Sequence, residues 1–281
     1  MRVFPRASLR ATNIVRINFH NAFRPRLYAT ASQDIPPVTQ TNRAQTSMKR
    51  FWNAAHVRQG DDYIEVTLDG RALKTPGGNK LRVPASKKVL ATLIANEWDV
   101  QDTILKAHAL PLTSIASRAI DGLSTAEERL AVTENLLKYF DTDTICYHEE
   151  EPEQLARLQE QHWNPILEWA RKEIGLDVLL FDSLLIGNQS ADSKQQLRSI
   201  VNQFDAWSMA AFERAVYTTK SALIALALVK GRLNVDQAAQ AAHVEVNSQI
   251  ERWGEVEDSH DVDYQDIRQQ LGSVACVLLD S

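Results

Sequence analysis

Between Tyr63 and Leu68 the chain alternates with a period of two: Ile64, Val66 and Leu68 stand against Tyr63, Glu65 and Thr67. That is the pattern of a half-buried strand. Asp69-Gly70 follows, a dipeptide suited to the positive-φ positions of a tight hairpin, and Arg71–Thr75 reads as the return strand. Pro76-Gly77-Gly78-Asn79 makes a second turn, after which Leu81 and Val83 alternate with Lys80 and Arg82. Structure is expected to start near Arg50-Phe51-Trp52 and to run to about Pro84 as a meander of at least three antiparallel strands.

Beyond Pro84 the period changes to that of a helix. Ser86 is placed to cap a helix from about Lys87 to Gln101, with Val89, Leu90, Leu93, Ile94 and Trp98 as its apolar stripe. Leu110-Pro111 marks a break before a short helix to about Ile120. Ser124-Thr125-Ala126-Glu127 has capping-box spacing and predicts a helix to about Tyr139. Pro152 suits the first position of a helix running to Gly175, and Pro165 should kink or split it. A long helical stretch is expected from Lys194 to Val229, broken once near Thr218-Thr219. Asn234 caps another helix ending near Trp253-Gly254. A last helix should start near Asp263 and carry Ile267, Leu271, Val274 and Leu278. The fold class is therefore α+β, a small N-terminal antiparallel β domain (residues 49–121, with a covering helix) followed by a larger, mainly α-helical domain (122–281).

Charge changes the picture at the N-terminus. Residues 1–28 hold six arginines and no acid, with apolar residues interspersed, which is the signature of a mitochondrial presequence. Residues 29–48, rich in Thr, Ser, Gln and Pro, read as a disordered connector. Without residues 1–28, 25 basic side chains face 36 acidic ones, a net of −11. Such a body repels polyphosphate, so nucleic acid is not an expected partner. No stretch reaches the roughly 18 consecutive apolar residues of a membrane span, so stable membrane insertion is not expected. The two cysteines, Cys146 and Cys276, form no Cys-x-x-Cys pair and set no disulfide framework.

The sequence carries no Gly-rich phosphate loop, no His-Glu-x-x-His and no Gly-x-Ser-x-Gly. Its densest polar cluster runs from Glu255 through Glu257, Asp258, His260 and Asp261 to Asp263. Three readings stand open. His260, Asp261 and Asp263 could ligate a divalent ion, as in a metal-dependent hydrolase of the mitochondrial matrix. The acids could simply form a solvated helix start, with Asp261 or Asp263 as the cap. Or the loop could bind a basic surface on another protein.

Two stretches are distinctive. One is Leu68-Asp69-Gly70-Arg71-Ala72-Leu73-Lys74-Thr75-Pro76, followed by Asn96-Glu97-Trp98-Asp99. The other is Trp253-Gly254-Glu255-Val256-Glu257 with His260-Asp261, ending in Gln270-Leu271-Gly272-Ser273. Together, over roughly residues 50–280, the chain resembles the mitochondrial chaperone family that assembles the catalytic head of the ATP synthase by binding its alpha subunit. The resemblance implies a non-enzymatic, cofactor-free monomer of the mitochondrial matrix. It would hold the free alpha subunit against aggregation until the beta subunit takes its place. The family's functionally important acid falls on Glu257, and its Glu-Trp pair on Glu97-Trp98. The acid density of the stretch, taken with this resemblance, adds Glu255, Asp258, His260, Asp261 and Asp263 to Glu257 as candidate partner-binding residues. Asp258 departs from the family, some members of which carry an aromatic residue there. A structural subunit of a respiratory complex is the remaining rival reading.

Overall fold

A computed structural model describes residues 49–181 and 187–280, all of which fall in the compact unit Ala44–Ser281. The expected presequence and connector lie outside the described residues. The strands are β1 (Ala55–Gln59), β2 (Tyr63–Leu68), β3 (Arg71–Ala72) and β4 (Arg82–Pro84). All pairing is antiparallel: β2 is central, with β1 along one edge and β3 and β4 sharing the other. The Asp69-Gly70 hairpin forms as expected, with φ of 46° and 78° at its two turn residues. The Asp69 carboxylate also accepts the backbone N–H groups of Asn53 and Ala54, so the turn holds the chain leading into β1. β1 itself carries no alternating apolar signal because it is an outward-facing edge, exposed from His56 to Gln59.

Helix α1 (Lys88–Asp99) covers the sheet, packing Leu90, Ala91, Ile94, Ala95 and Trp98 against it. Two details correct the expectation. Ser86 does not cap: a 3₁₀ turn, Ala85–Lys87, leads into the helix, whose N-cap is Lys87 without a side-chain bond. Val89 is exposed, and the small Ala91 and Ala95 take the inner face, where they let the helix approach β2 closely. On the other face of β2, Glu65 is buried but paired with Arg58 and with Arg82 Nε at 3.2 Å.

The rest is helical: α2 (Pro111–Gly122), α3 (Ala126–Asp141), α4 (Glu153–His162), α5 (Asn164–Trp169, continued by a π-helical turn Ala170–Ile174), α6 (Ala191–Val201), α7 (Ala206–Thr219), α8 (Ala222–Val229), α9 (Val235–Ala242), α10 (Val244–Trp253) and α11 (Glu257–Leu278). The capping box of α3 sits one residue later than its spacing suggested, at Thr125 with Glu128. Pro165 does split the α4–α5 stretch, and Gly175 ends it at φ 78°. Pro152 stands one place earlier than expected, at the N-cap of α4. The stretch to Val229 breaks twice rather than once. Asp205 caps α7 after a turn at Asn202–Phe204, and Ser221 caps α8 after Lys220 at φ 58°. The helix from Asn234 also breaks, at His243. Every residue of α8 except Val229 is buried, and α7 packs against α2, α3, α8 and α11. No described helix is long and apolar enough to cross a membrane.

Two polar joints hold α2, one to the turn beside the sheet and one to α7. Asp121 at the end of α2 accepts from Thr75 Oγ1 (2.7 Å), Gly77 N (2.8 Å) and Asn79 Nδ2 (2.9 Å), which fastens the second turn. Arg118 makes a two-pronged bond to Glu213 of α7 at 2.7 and 2.8 Å.

Candidate functional site

The Glu-Trp pair of α1 is a structural clamp. Helix α2 opens at Leu110-Pro111 with no side-chain cap of its own. Glu97 supplies one from another helix: its carboxylate accepts the N–H groups of Leu112 (2.7 Å) and Thr113 (2.9 Å) and the Thr113 hydroxyl (2.7 Å). Trp98 Nε1 donates to the same hydroxyl at 3.0 Å, and its backbone carbonyl accepts from Trp52 Nε1 at 3.1 Å. Burial raises the Glu97 carboxyl above its ordinary value although these three bonds oppose the shift. Glu97→Ala removes the cap and is expected to cost about 1–2 kcal/mol. A urea-denaturation midpoint equal to wild type would show that α2 needs no cap there.

The acidic cluster is not a loop between helices. Helix α10 ends at Gly254 (φ 88°), Val256 is the extended N-cap, and α11 begins at Glu257, six residues earlier than expected. Neither Asp261 nor Asp263 caps it. The first turn departs from helical geometry at Asp258 (φ 15°, ψ −49°). His260 bends back instead: its backbone N–H donates to the Val256 carbonyl (3.1 Å), and its Nδ1 accepts the Val256 N–H (3.0 Å). Acids gather in this turn because the N-terminal end of a helix carries partial positive charge.

Glu255, Glu257, Asp258, Asp261 and Asp263 are all exposed, and His260 is half-buried. They share one short stretch but do not converge. Asp263 Oδ2 lies 3.1 Å from His243 Nε2, across the start of α10, while His260 Nδ1 is taken by the backbone. Burial holds the His243 imidazole below its ordinary value, against the pull of Asp263 and with that of Arg268. Among the described residues no three His, Cys, Asp or Glu side chains form a set that could hold a metal ion. The His260, Asp261 and Asp263 geometry thus gives the metal reading no support.

What the acids do share is an apolar surround that their own pattern did not reveal. Trp253 is 70% exposed, Val262 68%, Val256 63% and Tyr264 47%. The inner face of α11 is set by Ile267, Leu271 and Val274. At about 100° per residue, Val262 lies about 140° from Ile267 on that helix. This offset was the available signal that Val262 serves something other than the core. Arg252 lies over the Trp253 ring at 5.1 Å and Arg268 over the Tyr264 ring at 3.4 Å, so each ring has a guanidinium stacked on one face. From Glu255 to Asp266 six acids and no Lys or Arg accompany these apolar groups. The result is a stretch of individually exposed apolar side chains interspersed with negative charge, at the start of a helix whose later turns are packed against α2, α7 and α9.

Comparison with known proteins matches this architecture. A family model described as ATP12 chaperone protein fits residues 49–171. The mitochondrial protein atp12 of Schizosaccharomyces pombe is 34% identical over 239 residues, covering 82% of each chain. The mitochondrial ATP12 protein of Saccharomyces cerevisiae is 31% identical, over 84% of this chain and 86% of its own. Among solved structures, Atp12 from Paracoccus denitrificans superposes with a TM-score of 0.68 at 27% identity, covering 82% of this chain and 95% of that one. An aspartate-to-lysine variant of the Paracoccus protein gives the same TM-score at 28% identity. With its sheet, covering helix and helical body matched over most of its length, the chain belongs to the ATP12 chaperone family, as a mitochondrial assembly chaperone.

Proposed function

We propose that this chaperone binds the free alpha subunit of the mitochondrial ATP synthase catalytic head in the matrix and yields it to the beta subunit, acting by binding alone. The observation that carries the reading is the stretch from the end of α10 into the start of α11, where Trp253, Val256, Val262 and Tyr264 are exposed among six acids. Family membership supports an ATP synthase subunit as the client. A subunit awaiting assembly exposes apolar surface meant for its neighbour, and such surface drives aggregation. The aromatic and aliphatic groups of the strip cover part of that surface. Glu255, Glu257, Asp258, Asp261 and Asp263 stand in for polar groups that the beta subunit supplies. Charged contacts at an exposed site speed capture and are easily exchanged for those of a competing partner, which suits a temporary holder.

Glu257→Lys tests the reading. The side chain is exposed and takes part in no ion pair among the described residues, so the fold should persist at a cost of no more than about 1 kcal/mol for a reversed charge at the helix start. Reversing its charge should weaken alpha-subunit binding by roughly tenfold or more and flatten its salt dependence. The measurement is co-expression and affinity capture of the alpha subunit, followed by titration at two ionic strengths. Affinity equal to wild type at low salt would remove Glu257 from the contact. An alpha subunit that stays aggregated and unbound with the wild-type chain would end the proposal as a whole.

A further inference from the structure

We propose a second polypeptide-binding site, in the groove where the segment Lys49–Trp52 faces the return strand of the hairpin. It takes an extended, apolar stretch of the client flanked by carboxylates. The identity of the occupant as a client segment rests on the chaperone reading above; the groove's chemistry does not.

The groove encloses about 570 Å³ and is lined by Phe51, Trp52, Leu68, Leu73, Trp98 and Leu105, with Lys49, Arg71 and Lys74 at its edge. Sites of roughly 300–1,000 Å³ with mainly apolar walls and a few placed polar groups are the usual form of a ligand pocket. Phe51 is 77% exposed, more than any other large apolar side chain among the described residues, although its ring packs edge-on against Trp52 at 5.1 Å. An aromatic residue held in place yet left in water is a ready contact for a partner.

Backbone geometry selects an extended occupant. Leu73 N–H donates to the Val66 carbonyl and Leu81 N–H to the Leu73 carbonyl, so both main-chain groups of Leu73 face into the sheet. In an antiparallel ladder the neighbouring residues then turn their N–H and C=O groups the other way. Ala72 therefore presents its groups on the outer edge, and so does Lys74, whose bridge to Lys80 is made by the bonds of its neighbours (Leu81 N–H to the Leu73 carbonyl, Thr75 N–H to the Asn79 carbonyl). A strand edge beside apolar pockets is the arrangement by which sheets capture peptides.

Charge selects the flanking residues. Arg71 and Lys74 are exposed and join no ion pair among the described residues. From Lys49 to Pro84 the chain carries seven basic and four acidic side chains, a net of +3, whereas residues 85–281 carry 17 and 31, a net of −14. The groove thus lies in the basic part of an acidic protein, opposite in sign to the α11 strip. A single client segment could not suit both, so the two sites grip different parts of it.

Calorimetric titration of the full chain with two synthetic heptapeptides tests this. Both have a Leu-Phe-Leu centre, one flanked by glutamates and the other by lysines. The glutamate peptide should bind at least tenfold more tightly, and N-methylation of its central amides should cost a further tenfold by blocking the edge pairing. The double variant Arg71→Glu with Lys74→Glu should invert the preference, with an unchanged thermal midpoint as the control for folding. Absence of binding, equal binding of the two peptides, or an unaltered preference in the double variant would overturn the proposal. So would a concentration-dependent dimer that the double variant abolishes without any peptide binding, which would give the groove to a second copy. None of these outcomes touches the Glu257 test, and failure of that test would leave peptide binding here unaffected.

Discussion

Trp163→Ala is expected to destabilise the protein by about 3–5 kcal/mol, the range for deleting a fully buried tryptophan. Trp163 is 1% exposed and sits at the junction where α4 ends and α5 begins. Its backbone carbonyl accepts the N–H groups of Ile166 and Leu167, which starts α5. Its indole reaches across to α9, donating from Nε1 to the Ala241 carbonyl at 2.7 Å, and its ring lies 5.6 Å from that of His148. The side chain is therefore the joint between α4–α5 and α9, and removing it leaves a cavity and an unbonded carbonyl together. Trp163→Phe keeps most of the volume and loses only the donor, so it should cost nearer 1–3 kcal/mol. Against a total stability of about 5–15 kcal/mol, the alanine variant should show a much lower urea midpoint. A loss below about 1 kcal/mol for Trp163→Ala would mean that the junction is held by other contacts.

The second large effect is a dependence of stability on pH that originates at Asp143. This carboxyl is fully buried between a 3₁₀ turn (Thr144–Cys146) and the start of α8. It accepts Leu223 N–H at 2.9 Å and Ile145 N–H at 3.3 Å, and further bonds from Ser221 and Ala222. Burial outweighs these bonds and pushes its pKa from 3.8 up to about 7. Between those values the folded protein holds a proton that the unfolded chain has released. The stabilising contribution of this group is thus complete below about pH 4 and is lost as pH rises through about 7. Inside the window the slope from this one group approaches about 1.4 kcal/mol per pH unit. Asp143→Asn, which cannot ionise, should remove that slope. Urea midpoints of the two proteins should lie closest at pH 5 and separate as pH rises through 6 and 7 to 8, the wild type falling away from the flat Asn variant. Parallel profiles would show that Asp143 is ionised throughout.

How much of this was legible beforehand depends on where each residue's partners lie. The Asp69-Gly70 hairpin, the Asn234 cap, the split at Pro165 and the stop at Gly175 were readable because each is a demand of φ or of a bond within four residues. The acidic run Glu255–Asp263 was legible as a feature, but its form was not. Where α11 starts depends on His260 reaching back to Val256 and on Gly254 turning the chain, two choices the pattern of charges does not contain. The break after α6 was hidden for a similar reason, since Asp205 caps α7 within a stretch whose composition stays helical.

By itself, then, the sequence determined the order of elements, strands first and helices after, because hydrophobic period and turn chemistry are local properties. It also determined the charge of the α11 strip. Only the tertiary structure decided that Glu97 caps a helix beginning 14 residues later, and that Trp163 joins α5 to α9. It alone decided that Asp143 is buried at α8, and that Phe51, Trp253 and Val262 are left facing water. Each of these turns on which side of a packed element a residue finds itself. That is settled by contacts between segments far apart in the chain, which no single stretch of sequence specifies.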